Sequence, residues 1–263
     1  MKIKQWEREY NKILNTAKLT AGSIALLYGF DVDTAVGSAG VAVENNSLKK
    51  QTLFAAKNPI IAAEIGSVAY GDTLHKTQNP NISTVASTFQ INLINNSNKT
   101  ISEVEITREG GVANAFRHTL WQALIANRFG VQVAIEAGDA HETTYTYKNT
   151  HTHTHSNASL ILGQYAKIET TDEIADQLNN AIGRSIYQNN PNKTNKEYAH
   201  LVLNHYHYKG LYQVEQRSNG QYGLVIKELP SSIYKRAIIT LETLDETGAG
   251  SVIQQKRIDY QKK

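Results

Sequence analysis

The chain has 263 residues, 40% of them hydrophobic, which is enough for one large domain or two modest ones with a real core. Its formal net charge is +3, a mild excess that admits a polyanionic partner without requiring one. With no cysteine, disulfides, thiolate metal sites and a cysteine nucleophile are all excluded.

The N-terminal third reads as helical. Gln5 to Leu19 places Trp6, Tyr10, Ile13, Leu14 and Ala17 at helix spacing, and Ala21 to Phe30 continues as an apolar stretch. Asp31 to Thr34 can cap a further helix through the small residues Ala35 to Ala42. No segment reaches the roughly 18 consecutive apolar residues of a membrane span. Met1 to Lys4 leads into polar residues and not into the apolar run of a secretion signal.

Leu53 to Ala69 is a helix-like apolar run interrupted at Asn58-Pro59. From Gly71 to Asn98 the chain turns polar, and the alternation from Thr88 to Ile94 predicts a short strand. Gly110-Gly111 then sets off a strong helix that Gly130 ends, followed by a second over "VQVAIEAGDAHETTYTY". A polar loop leads to a third helix, with Thr171 or Asp172 as its N-cap and Asn189-Asn190-Pro191 as its stop. "NKEYAHLVLNHYHYKG" is a fourth, and Asn219-Gly220 between alternating segments from Leu211 marks a β-hairpin. The expected class is α+β: a predominantly α-helical core with a short C-terminal antiparallel β element.

Three clusters could carry chemistry. In the first strong helix, Phe116, Leu120 and Leu124 share one face, and Asn114, Arg117, His118, Trp121 and Ile125 another. Such a helix is buried on most sides, and a buried Arg117 and His118 need partners. The plain alternative is a structural ion pair and a core hydrogen bond. Next, Asp139 and Glu142 lie three apart beside His141, a set that can share a proton or ligate a metal, or simply form a solvated helix end. Third, Asp176, Asn179, Asn180, Gly183 and Arg184 form one stripe. Asn and Gly are poor helix formers, so a merely solvated face would more cheaply carry Glu and Lys. That favours a site lining. His151, His153 and His155 alternate with Thr and would share one side of an extended segment, a possible Zn²⁺ or Cu²⁺ site. His205 and His207 have the same spacing. There is no P-loop, dinucleotide-binding glycine fingerprint or Gly-x-Ser-x-Gly elbow.

Two stretches resemble known families. "DVDTAVGSAGVAVENNSL", with Val43-Glu44-Asn45-Asn46, resembles the pretoxin boundary of the two-partner-secreted toxins of contact-dependent growth inhibition, the CdiA and filamentous-haemagglutinin group. The resemblance implies a pretoxin tail over 1–46, a translocation module over 47–109 and a toxin domain over 110–263. It also implies a chain that is the tail of a longer secreted protein, presented at the producer's surface and delivered into a target bacterium. The partners would be an outer-membrane two-partner secretion transporter, a target-cell receptor and a cognate immunity protein.

Ala115-Phe116-Arg117-His118 with Trp121, then Asp139-Ala140-His141-Glu142, then Asn179-Asn180-x-x-Gly183-Arg184 resemble, in order, an uncharacterised helical domain at the C-termini of polymorphic toxins. Members often carry a His before the Asn pair; here Leu178 stands there, and its role could have moved to His151, His153 or His155. The resemblance supplies no reaction. Together with the residues it implies a hydrolase in which His118, Asp139, His141 and Glu142 are the acid, base or metal-ligand candidates. Arg117, Trp121, Asn179, Asn180 and Arg184 would hold the substrate. Two arginines favour a phosphate-containing substrate, nucleic acid first and a phospholipid head group second. A divalent metal ion is the cofactor to test. A peptidoglycan hydrolase, a membrane-disrupting protein and an adhesin module are the alternatives.

Overall fold

The computed structural model describes residues 46–68, 79–96, 110–141, 164–165 and 168–262. The helices expected before residue 46, together with Glu142, His151, His153 and His155, lie outside them.

The described chain begins with α1 (Asn46–Lys57) and α2 (Pro59–Ile65). The break between them falls where the sequence predicts it, because Pro59 starts a helix well and cannot continue one. α3 (Ile82–Gln90) is capped by Asn81, whose side chain accepts from the Thr84 amide at 2.8 Å, and it runs on into a π-helical turn, Ile91–Asn95. The strand expected over Thr88 to Ile94 is therefore helical. Thr88 donates its hydroxyl back to the Thr84 carbonyl at 2.7 Å, and Phe89 and Leu93, four residues apart, are both fully buried. Core contacts at helical spacing outweigh the strand preference of Thr and Ile here.

α4 (Val112–Phe129) is the central helix and is buried on most of its circumference, as its apolar residues on both faces predict. Gly130, at φ 88°, ends it, and α5 (Val131–His141) follows. α6 (Ile168–Asn189) starts earlier than the expected cap at Thr171 or Asp172; Thr171 is fully buried inside it. α6 lies against α4 so closely that a Cβ on Gly183 would overlap the Thr119 carbonyl oxygen. That contact explains a glycine within a long helix.

α7 (Asn195–Lys209) opens with a capping box between Thr194 and Glu197. β2 (Leu211–Gln216) and β3 (Tyr222–Lys227) form the expected hairpin. Gly220 takes the left-handed position, φ 79°, and its amide donates to the Arg217 carbonyl at 2.9 Å. The two-residue strand β1 (Gln164–Tyr165) adds to β3, giving the antiparallel order β1-β3-β2. Two further helices follow, α8 (Ser231–Thr243) and α9 (Ser251–Gln261). No described helix is long and apolar enough to cross a membrane.

The main core joins Phe89 and Leu93 to Phe116 and Leu120 of α4, Tyr198, Leu203 and Tyr206 of α7, and Ile233 of α8. This core crosses the boundary expected at 109/110. α3 and its π-turn pack with the helices after residue 110. A second cluster, Ile65 with Ile125, Ala126, Ala134 and Ala137, lies where α2 meets α4 and α5.

Candidate functional site

The site grows from one stripe of α4. Asn114 stands three and four residues before Arg117 and His118, and Trp121 four and three residues after them, so the four share a face. Asp172 and Asp176, one turn apart on α6, meet that face. Asn114 donates to Asp176 Oδ1 at 2.9 Å and to Asp172 Oδ1 at 3.2 Å, while its own Oδ1 accepts from Arg117 Nη2 at 2.6 Å. His118 Nε2 lies 3.3 Å from Asp176 Oδ2 and 3.1 Å from Arg117 Nη2. One ring nitrogen thus faces both a carboxylate and a guanidinium. A neutral ring can accept from the arginine, and a proton on Nε2 can be held by the aspartate.

His118 is held neutral. Burial is the largest cause of a pKa well below the ordinary value; the charges of Arg117 and His141 add to it, and a hydrogen bond to Asn180 opposes it. The Asp176 carboxylate would by itself favour the imidazolium, and burial with Arg117 outweighs it. The Asn180 contact is loose. His118 Nδ1 and both amide atoms of Asn180 are buried without a partner at full hydrogen-bond geometry among the described residues.

His141, at the end of α5, comes to the same place. Its ring centroid is 5.6 Å from that of His118 and 5.6 Å from that of Trp121. Gln51 Nε2 of α1 is 3.4 Å from its Nδ1. The ring is reachable by solvent, yet it stands in a concave setting. The surrounding protein, with the Arg117 charge, lowers its pKa to about 4. These groups close one end of a recess of about 400 Å³. Gln51, Ser83, Ser87, Arg117, His118 and His141 supply its polar side; Phe54, Ile65, Val68, Trp121 and Ala137 supply apolar wall. Trp121 is fixed by its indole N–H, which donates to Ser83 Oγ at 3.0 Å.

Of the residues expected at the site, Arg117, His118, Trp121 and His141 line this recess, and Asn180 stands behind His118. Asp139, Asn179 and Arg184 do not line it. Asp139 accepts from Gln177 at 3.2 Å. Arg184 is buried and donates to Gln122 Oε1 at 2.7 Å. Asn179 is a clip for the sheet: its Nδ2 donates to the Tyr212 carbonyl at 2.9 Å, and its Oδ1 accepts from the Tyr212 amide at 3.0 Å. Among the described residues no group of three or more His, Asp or Glu could hold a metal ion. His205 and His207 lie on α7, where a two-residue step turns their side chains apart. His207 bonds the Leu229 carbonyl through Nδ1 at 2.8 Å and stacks on Tyr234.

Sequence reasoning gave no role to Gln51, Ser83, Ser87 or Asn114. Asn114 was within reach, since it sits three residues before Arg117 on the same stripe. Ser83 and Ser87 come to lie side by side, one turn apart, only in a helix, and their segment carries the pattern of loop and strand.

Residues 6–50 match the pre-toxin domain with VENN motif. The chain is accordingly a polymorphic-toxin region, of the kind secreted and delivered to target cells in competition between bacteria. Residues 77–209, just over half of the chain, match the domain of unknown function DUF6973, and the chain belongs to that family. The match covers α3 to α7 and so includes Ser83, Ser87, Arg117, His118 and His141, while α1 and α2 precede it. No curated protein and no solved structure matches the chain.

Proposed function

We propose that the recess is the catalytic site of a hydrolase that acts on a phosphate-containing substrate, with nucleic acid as the first choice. The observation that carries this reading is the spacing of His118 and His141, whose ring centroids are 5.6 Å apart with the Arg117 guanidinium 3.1 Å from His118. That spacing lets one phosphoryl group touch both imidazoles and the arginine. His118, backed by Asp176, takes the proton of the attacking hydroxyl, and the aspartate stabilises the imidazolium that forms. His141 gives a proton to the leaving oxygen. Burial first, and the Arg117 charge in addition, depresses both histidines. A bound anion offsets the Arg117 part of that shift and raises both pKa values, which favours the proton on His141 that the leaving oxygen takes. Trp121 offers a flat face for a base.

A second reading, hydrolysis of a phospholipid, is favoured by the apolar wall that Phe54, Ile65, Val68 and Ala137 give the recess. On either reading the chain belongs with the contact-dependent growth inhibition group. It would reach its target through a two-partner secretion transporter and a cell-surface receptor, and a small immunity protein would neutralise it.

Expression of the chain inside bacteria, with electrophoresis of total RNA and DNA and of extracted lipids, tests the reading. A nuclease fragments RNA or DNA, and His118→Gln and His141→Gln abolish this while the variants remain folded. Killing with intact nucleic acid, only on export to the periplasm, moves the substrate to the envelope. Undiminished killing by both variants removes the site.

A further inference from the structure

Ser87 takes no part in the catalytic scheme above, and its surroundings give it one. A serine within a helix has a partner within reach, the carbonyl one turn back. Thr88 takes that bond to Thr84 at 2.7 Å, and Thr119 on α4 takes it to Ala115 at 2.8 Å. Ser87 does not. It is only 4% exposed, and its Oγ meets no hydrogen-bond partner among the described residues. A buried hydroxyl left this way destabilises a fold unless a ligand completes it.

The hydroxyl belongs to the recess. Ser83 and Ser87 are one turn apart on α3, and Ser83 is fixed to Trp121 by the indole hydrogen bond. Ser87 lines the same recess as Arg117 and His118. Among the described residues no aspartate or glutamate lines the recess. A guanidinium and an unpartnered hydroxyl lining one recess make a donor set for a small oxyanion.

We propose that Ser87 is a substrate-binding residue that donates its hydroxyl to a non-bridging oxygen of the bound phosphoryl group, beside Arg117. This rests on the reading of the substrate as phosphate-containing and adds the residue that completes its anion subsite. The hydroxyl is left idle by the fold and occupied by the ligand, so its loss weakens binding without weakening the protein.

The test is titration of the full chain with inorganic phosphate, followed by calorimetry or phosphorus NMR, for the wild type, Ser87→Ala and Ser87→Cys, with thermal melting of each. Wild type binds phosphate saturably. Ser87→Ala binds about tenfold more weakly, the usual effect of losing one hydrogen bond to a charged group. Ser87→Cys, which keeps the side chain's bulk and offers a poor donor, weakens binding similarly. Both melt at the wild-type temperature or above it. Equal phosphate affinity in all three overturns the assignment of Ser87 and leaves the phosphate reading standing. No phosphate binding by the wild type overturns both. Weaker binding with a clearly lowered melting temperature in both variants makes Ser87 a packing residue and overturns the assignment.

Discussion

Asn179→Ala separates a site residue from a structural one. Asn179 is fully buried and exchanges two hydrogen bonds with the backbone of Tyr212, at 2.9 and 3.0 Å. These hold the first residues of β2 to the middle of α6. Truncation takes the partner from the amide and the carbonyl of half-buried Tyr212, each costing roughly 1–3 kcal/mol. The removed amide group adds a small void, while alanine's better helix propensity returns about 0.5 kcal/mol. The net loss is about 3 kcal/mol, which for a domain of this size lowers the melting temperature by roughly 6–12 °C. Circular dichroism melting of wild type and variant reads it directly. Phosphate affinity at a temperature where both are folded should not change, because Asn179 does not line the recess. A variant that melts with the wild type yet loses phosphate binding would refute this reasoning and return Asn179 to the substrate.

Two other outcomes follow from the packing and the titration of the recess. Gly183→Ala puts a methyl group into the Thr119 carbonyl, so α4 and α6 must part; overpacking of about 1–3 kcal/mol exceeds the roughly 1 kcal/mol gained in helix propensity, and denaturant unfolding should show a net loss. His118 and His141 both have folded pKa values below the ordinary 6.5. Their neutral forms support the fold fully above that value. As the pH falls through it, the unfolded chain takes up protons that the folded chain does not, and stability drops. The His141 part of the loss is complete near pH 4, and that of His118 extends lower. Unfolding midpoints measured from pH 8 to pH 4 should fall, and less steeply in His118→Gln. A flat or rising profile in the wild type would contradict the lowered pKa values of these rings.

Much of the scaffold was legible from the sequence because local chemistry and tertiary contacts agree there. Gly130 stops α4, Pro59 starts α2, and Asn219-Gly220 turns the hairpin. α3 was not legible, because Thr88 and Ile91 prefer strands and only Phe89 and Leu93 meeting the core decides for helix. α8 and α9 went unnoticed. α9 in particular presents a weak apolar face, with Val252, Ile258 and Tyr260 exposed.

The site was legible in part for a similar reason. The stripe on α6 is polar because it is buried against other polar groups, and a sequence cannot say which neighbour each side chain meets. Asn179 and Asn180 are adjacent and identical in kind; one clips a strand and the other backs a histidine. Arg184, expected on a substrate, instead holds Gln122 across the α4–α6 contact. Arg117 and His118 were findable because a pair of ionisable side chains on an otherwise buried helix must be answered by something, and Asn114 and Asp176 answer it.

The central claim is that His118 and His141 together perform the chemistry of this toxin. The most direct measurement is incubation of the purified chain with RNA, with DNA and with phospholipid vesicles, beside His118→Gln and His141→Gln at matched folded concentrations. The account predicts cleavage of one of these substrates by the wild type and its loss in each variant, with RNA or DNA as the substrate cut. Cleavage that survives in both variants would contradict it.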